Sequence, residues 1–214
     1  MGSKKIAIVG AGIVGISSAI NLVRRGCDVT LIDRNFKGKP ASYGNASWLS
    51  SVSITPVLMP GMIKKIPKLL FSKDGPLFLR FPGFLKIIPF LTKYLSYAKK
   101  EKVDHISKNL AYLLKDSVNE HKELAKGTNA TQWIKDSPYL FIYKNKKDFF
   151  NDEYTWSLRK KYGFNLIEVE EEELKSLLPG LSSEYKFAIK IDHLGYISNS
   201  QNYLDDLLDG FKKL

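Results

Sequence analysis

The residues with the clearest chemical purpose lie between Lys4 and Arg34. Gly10-Ala11-Gly12-Ile13-Val14-Gly15 fits the pattern G-x-G-x-x-G, in which backbone N–H groups approach a pyrophosphate. Gly10 lets the chain turn tightly out of a strand, Gly12 lets phosphate oxygens reach the backbone, and Gly15 lets the next helix pack close to the sheet. The free N–H groups of that helix's first turn, with its dipole, favour the phosphate charge. Asp33 stands eighteen residues beyond Gly15, where a carboxylate accepts hydrogen bonds from an adenosine ribose. Together these residues predict a dinucleotide-binding βαβ unit.

Other chemical groups are sparse. Cys27 is the only cysteine, so no internal disulfide can form; its place between helix and strand suits a small buried apolar residue. Without disulfides, a reducing, cytoplasmic-side location is the default. His105, His121 and His193 are scattered and lack metal-ligand spacing, so no metal is expected. His121 falls on the apolar face of a helix and reads as a satisfied core histidine. The acids Glu170 to Glu173 sit at a helix's positive end, a solvated helix start rather than paired catalytic carboxylates. No residue qualifies as catalytic.

The elements that must position the glycine turn are legible. Ile6 to Val9 is a short apolar run suited to a strand buried on both faces. A helix runs to about Arg25 and stops at Gly26, with Arg24 and Arg25 suited to its C-terminus. Val29 to Ile32 forms a second strand. A basic pair followed by uncharged residues from Ile6 to Val23 also has the outline of a secretory signal. Such a segment needs no spaced glycines, and no small-residue cleavage site follows. Ile6 stands where myristoylation requires Ser or Thr.

From Asn35 to Met62 the chain is rich in Gly, Ser, Pro and Asn, and its prolines rule against a membrane-spanning helix. Trp48, Leu49, Val52, Ile54 and Val57 favour a loop packed on a ligand or the core over a solvated linker. The octets Pro60–Pro67 (PGMIKKIP) and Pro82–Pro89 (PGFLKIIP) each predict a short helix bounded by prolines. One amphipathic helix is expected over Val103–Lys126, ended by Gly127. Beyond it the pattern predicts strands at 139–143, 165–169 and 186–191. Helices are expected at 146–162, 170–178 and 200–213, with a turn at Asp192–Gly195.

The formal net charge of +11 is unevenly spread. Between Val57 and Lys102 ten basic residues face only Asp74 and Glu101, a net +8. Interleaved with aromatics, these lysines suit either a solvated helical subdomain or a surface resting on anionic lipid. No nucleic-acid motif accompanies the charge, so nucleic acid is not an expected partner.

The βαβ unit followed by GKPASYGNASWLSSVSITPVLMPG resembles the flavin-dependent D-amino acid oxidase superfamily, most closely its bacterial D-amino acid dehydrogenase group. The matching residues are Gly10, Gly12, Gly15, Asp33-Arg34, Ser42, Gly44-Asn45-Ala46 and Pro60-Gly61. Segment 64–80 and the turn Asp192 to Ile197 also match. The resemblance implies an α/β fold: an incomplete Rossmann-like FAD-binding βαβ unit joined to part of an α+β substrate domain. Residues 1–56 would form the FAD unit and flavin-proximal loop, 57–127 a basic helical segment, 128–195 a partial substrate domain, and 196–214 a helix returning to the FAD domain.

It further implies FAD as cofactor, contacted by Gly10, Ala11, Gly12, Ile13, Val14 and Gly15 at the pyrophosphate and by Asp33 and Arg34 at the adenosine end. Ser42, Asn45, Ala46 and Ser47 would line the flavin-bearing half. The substrate would be a small amino acid, oxidised by hydride transfer from its α-carbon to flavin. Electrons would pass to a quinone-linked or respiratory acceptor, with the protein peripheral on the cytoplasmic face of the inner membrane. Ser47 replaces the family's usual glycine, and Asn199-Ser200 replaces its common Asp-Pro. The residues that clamp the substrate carboxylate in the family lie beyond the length matched here. An amino-terminal half is therefore expected, completed by a partner chain or by a continuation. The alternatives are a non-enzymatic remnant that binds membrane or a partner, and an NAD-dependent dehydrogenase.

Overall fold

The computed structural model describes residues 3–36, 38, 41–62, 66 and 83–214. These form two compact units. The first comprises Met1–Ser51, Asp116–Asn145 and Leu166–Leu214; the second, Val52–Lys115 and Lys146–Asn165. The expected segments were continuous stretches of chain, whereas these units are not.

In the first unit, β1 (Lys5–Val9) and β2 (Asp28–Ile32) pair in parallel, Ile6 opposite Val29 and Ile8 opposite Leu31, joined by α1 (Ile13–Arg24). Gly26, at φ +81°, ends the helix as expected. The expectation of a strand buried on both faces is corrected. Ile6 and Ile8 are half-buried, while Lys5, Ala7 and Val9 are exposed, Val9 at 84%. Only one face of this two-stranded sheet is covered, so the side chains alternate between cover and solvent. Cys27 is likewise half-buried rather than buried.

Two antiparallel sheets complete this unit. One places β8 (Gly195–Ile197) between β3 (Trp48–Leu49) and β4 (Ile134–Asp136). The other places β7 (Phe187–Ile191) between β5 (Tyr139–Tyr143) and β6 (Ile167–Glu170), the last followed by the short helix α7 (Glu171–Leu177). Gly195 is required by the first sheet: a Cβ there would stand 2.8 Å from the Lys135 carbonyl oxygen. The final helix α8 (Ser200–Phe211) shares one core with α1, in which Ile16, Ile20 and Leu207 are fully buried.

The single helix expected over Val103–Lys126 is two, α3 (Lys100–Leu114) and α4 (Ser117–Ala125). Asp116 takes the N-cap place of α4, a position its short polar side chain favours. The two buried faces are then separate: Val103, Ser107 and Ala111 at four-residue steps, and Val118, Leu124 and Ala125. Leu113, assigned to one continuous apolar stripe, is 72% exposed. The helix expected over 146–162 also divides, into α5 (Lys146–Phe150) and α6 (Glu153–Lys161) around Asp152, whose carboxylate accepts from the Thr155 hydroxyl at 2.7 Å.

In the second unit, Trp156 on α6 is buried, with the Arg159 guanidinium 4.4 Å from its ring centroid. Val52 and Ile54 are buried, as the packed-loop reading of 35–62 required; Val57 and Trp48 are exposed. The helix α2 (Phe84–Leu95) runs through Pro89 instead of stopping at it. The octet at 60–67 and the segment 64–80 fall largely outside the described residues.

Candidate functional site

The glycine turn joins β1 to α1. Gly10 has φ +106° and donates its N–H to the Ile32 carbonyl at 2.8 Å, tying the turn to the end of β2. Positive φ favours glycine, which has no Cβ to clash. At Gly15 the constraint is packing: a Cβ would lie 1.8 Å from the Gly10 carbonyl oxygen. Gly12 is different, since its φ is −75° and the nearest protein atom to an added Cβ is the Ser42 hydroxyl at 3.4 Å. The protein's own packing does not demand glycine there, and the space beside it is open to a ligand.

α1 carries no acidic residue in its first turn, so its positive end is not neutralised from within. The Ile13 N–H donates to Ser42 Oγ at 3.2 Å, while the N–H groups of Gly12, Val14 and Gly15 have no partner among the described residues. Ser42 thus places an oxygen where an anion's oxygen binds at a helix N-terminus. A hydroxyl can also turn its own hydrogen toward a phosphate. This donor set fits a diphosphate.

The Asp33 carboxylate accepts from the Ala11 N–H and from the Asn35 N–H, both at 2.7 Å. The Ala11 bond, then the Asn35 bond, holds its carboxyl below the usual range. Sequence reasoning gave Asp33 to a ribose and missed this second task of bracing the turn. Because the folded state favours the ionised form, its contribution is complete above the ordinary carboxyl value. That contribution disappears as pH falls through the lowered value. Asp33→Asn is expected to weaken cofactor retention and to flatten the acid limb of a retention-against-pH curve; titrating both proteins in acid checks this. Arg34 follows Asp33 on the chain.

The loop after the 3₁₀ turn Ala41–Gly44 is braced by its own side chains. Asn45 Nδ2 donates to the Ser42 carbonyl at 2.9 Å, and Asn45 Oδ1 accepts from the Ser47 N–H at 2.7 Å. Ser47 has φ +60°, a left-handed conformation that favours glycine, the residue the resemblance leads one to expect at this position. Its hydroxyl meets Ser200 Oγ at the start of α8, and its carbonyl accepts from the Ile197 N–H at 2.8 Å. Asn199 caps α8, its Oδ1 accepting from the Asn202 N–H at 3.0 Å.

A cavity of about 270 Å³ opens beside these groups, lined in part by Ile13, Ser42, Asn45, Ala46 and Ser47. His121, Ser200, Tyr203 and Leu204 also line it. The structure therefore brings Ile13 of the glycine turn and Ser42, Asn45, Ala46 and Ser47 to one cavity, while Gly10, Ala11, Gly12, Val14, Gly15, Asp33 and Arg34 are not among its lining residues. His121, expected in the core, is half-buried, with Nδ1 2.8 Å from the buried Tyr203 hydroxyl. Burial holds the imidazole below its ordinary range and pushes the phenol up. No sequence signal paired these residues; α4 and α8 meet only in the tertiary structure.

The neutral imidazole is favoured by folding, so the penalty appears as pH falls below the ordinary histidine value toward the lowered one. His121→Gln is expected to remove that part of the pH dependence of thermal stability, measured from neutral pH to pH 5. Around the site, Arg24 donates to the Glu123, Leu124 and Lys126 carbonyls at 2.9, 3.1 and 2.9 Å. It serves the C-terminus of α4, not that of its own helix. No metal-holding cluster of His, Cys, Asp and Glu occurs among the described residues.

A glycine turn between parallel strands, a helix start with unpartnered N–H groups and an acid closing the second strand define a dinucleotide-binding fold. The family profile for FAD dependent oxidoreductases (DAO) matches residues 5–214. The chain belongs to that family, and its cofactor is FAD. It is 37% identical over 195 residues to a D-amino-acid oxidase of Bradyrhizobium diazoefficiens, covering 90% of this chain and 46% of the relative. A D-amino acid dehydrogenase of Helicobacter pylori is 27% identical over 149 residues, covering 68% of this chain and 35% of that protein. Among solved structures, L-proline dehydrogenase from P. horikoshii matches with a TM-score of 0.58 at 18% identity, covering 99% of this chain and 42% of the other. Glycine oxidase from Bacillus cereus matches at 0.55 and 14%, covering 98% and 44%. The chain spans less than half the length of these relatives, and the structural likenesses speak for the fold alone.

Proposed function

We propose that this chain is the FAD-holding part of an oxidoreductase that oxidises a D-amino acid or a similar small amine. The reading rests chiefly on one observation: the Gly12, Val14 and Gly15 N–H groups stand unpartnered at the helix start, next to the Ser42 hydroxyl. These donors would take the diphosphate, and Asp33 has lone pairs left for the adenosine ribose. Asn45, Ala46 and Ser47 would border the flavin-bearing half, with the 42–47 loop held in place by the Asn45 and Ser200 contacts. Bound FAD supplies the acceptor for a hydride from the substrate's α-carbon. The chain's own residues orient it, and the apolar Ile13, Leu49, Ile197 and Leu204 limit water in the cavity.

In this reading the electrons pass on to a respiratory acceptor. The remaining substrate contacts of the whole protein come from a continuation or from a partner chain, in keeping with the share of the relatives' length that is matched. Asp33 would serve NAD equally well, but the braced serine–asparagine loop has no place in the regular strand–helix repeat of an NAD domain. The test is to purify the chain, titrate it with FAD and with NADH, and follow flavin absorbance and fluorescence. Yellow protein with quenched flavin fluorescence is expected. A colourless protein that binds NADH would overturn the reading. For the whole protein, D-amino acids are expected to bleach the flavin without oxygen, and an artificial dye should restore its colour.

A further inference from the structure

We propose that His121 is a further cofactor-contacting residue, its Nε2–H donating to an acceptor atom of the flavin ring system, and that Tyr203 is the positioning residue that fixes the imidazole. This role rests on the flavin reading and deepens it, since nothing in that reading gives His121 a task.

Position separates the cavity from the adenosine end of the site. Asp33 and the glycines at 10, 12 and 15 do not line it, whereas Ile13 and Ser42 do, joined by the Ile13 N–H on Ser42 Oγ at 3.2 Å. With the diphosphate at the glycine turn and the ribose on Asp33, the half of the cofactor that continues past Ser42 is the flavin half. At about 270 Å³ the cavity is smaller than the roughly 300–1,000 Å³ that encloses a whole drug-sized ligand. It takes one end of a dinucleotide.

Most polar side chains around the cavity are already engaged. Asn45 spends its Nδ2 on the Ser42 carbonyl and its Oδ1 on the Ser47 N–H, and the Ser47 and Ser200 hydroxyls meet each other. Trp48 is 56% exposed and open to water. His121 differs. Its Nδ1 lies 2.8 Å from the hydroxyl of Tyr203, which is buried. A buried hydroxyl needs an acceptor, and among the described residues His121 Nδ1 is the one that serves it. Burial keeps the phenol protonated and the imidazole neutral. Tyr203 therefore donates, Nδ1 accepts, and the one N–H of the neutral ring is on Nε2. That N–H has no partner among the described residues. In a cavity also lined by Ile13, Leu49, Ile197 and Leu204, such a donor is matched by an acceptor on the ligand. A flavin ring system presents carbonyl oxygens and unprotonated nitrogens, and a neutral donor meets them without setting a full charge beside the ring.

The experiment titrates the full chain with FAD and with ADP, which carries adenosine and diphosphate but no flavin, for the parent, His121→Leu and His121→Gln. His121→Leu is expected to weaken FAD roughly fivefold and to leave ADP unchanged. His121→Gln, whose amide again offers an acceptor to Tyr203 and a donor to the ligand, should recover most of the loss. NMR of the imidazole nitrogens should show His121 of the parent in the Nε2–H tautomer, with that signal moved by FAD and not by ADP. Tyr203→Phe should mix the two tautomers, and this holds as a test even where His121→Leu does not fold. Equal loss of FAD and ADP in His121→Leu would overturn the proposal, because the change would then act through the fold of the whole site. So would undiminished FAD affinity in His121→Leu, or an Nδ1–H tautomer in the parent. In each of these cases the flavin reading stands as long as the parent binds FAD more tightly than ADP. A parent that binds ADP and FAD alike, with no quenching of flavin fluorescence, defeats the flavin reading and this proposal together.

Discussion

Gly15→Ala is expected to yield a chain that retains almost no FAD. The added methyl would start 1.8 Å from the Gly10 carbonyl oxygen. That oxygen is backbone, and Gly10 is itself tied to β2 through its N–H on Ile32, so neither side can rotate away. Relief requires the helix start to move off the turn, which displaces the Gly12, Val14 and Gly15 N–H groups. The overpacking alone costs about 1–3 kcal/mol of stability, toward the upper end here because a main-chain atom is struck. Loss of two hydrogen bonds to charged oxygens, at about 1.5–3 kcal/mol each, corresponds to a fall in FAD affinity of at least about a hundredfold. Fluorescence titration gives the affinity and thermal melting the stability. Gly12→Ala provides the contrast, since its methyl meets only Ser42 Oγ at 3.4 Å. It should melt near the parent yet still lose affinity if a ligand's oxygens need that space. Wild-type affinity in both variants would refute the diphosphate assignment.

Leu207→Ala is expected to produce the largest loss of stability that leaves the site's chemistry intact. Leu207 is fully buried on α8, in the core it shares with Ile16 and Ile20 of α1. The cavity left by such a truncation costs about 2–5 kcal/mol, since close-packed neighbours relax only in part. For a domain of this size that lowers the melting temperature by roughly 4–20 °C. Saturating FAD should recover part of the loss, because a ligand that binds only the folded state stabilises it by mass action. Calorimetry with and without FAD checks both statements. A drop no larger than that of an exposed control such as Leu113→Ala, 72% exposed, would show that α8 does not support α1.

Much of the local structure was legible because its causes are local. The strand over Tyr139–Tyr143 was read to the residue, since aromatics and isoleucine between turn residues have few other choices. The ends of α1 and α6 at Gly26 and Gly163 follow from a conformation glycine adopts freely, with φ at +81° and +89°. β8 was missed because its three residues, beginning with a glycine, are too few to show a period. The continuous helix over 103–126 failed because apolar residues at three- and four-residue steps persist across Lys115 and Asp116, so periodicity could not register that the buried face changes.

By itself, the amino-acid sequence determined the class of chemistry. Glycines at 10, 12 and 15, an acid at 33 and the Ser42–Ser47 stretch carry their meaning in residue type and spacing, because tight turns, close phosphate approach and helix-start charge are properties of a few consecutive residues. Only the tertiary structure decided what surrounds them. Ser47 meets Ser200 across 153 positions, and His121 meets Tyr203 across 82. Asp33 reaches back to brace Ala11. Such pairings arise from how separate elements pack to bury their apolar faces, a global compromise that local spacing does not encode.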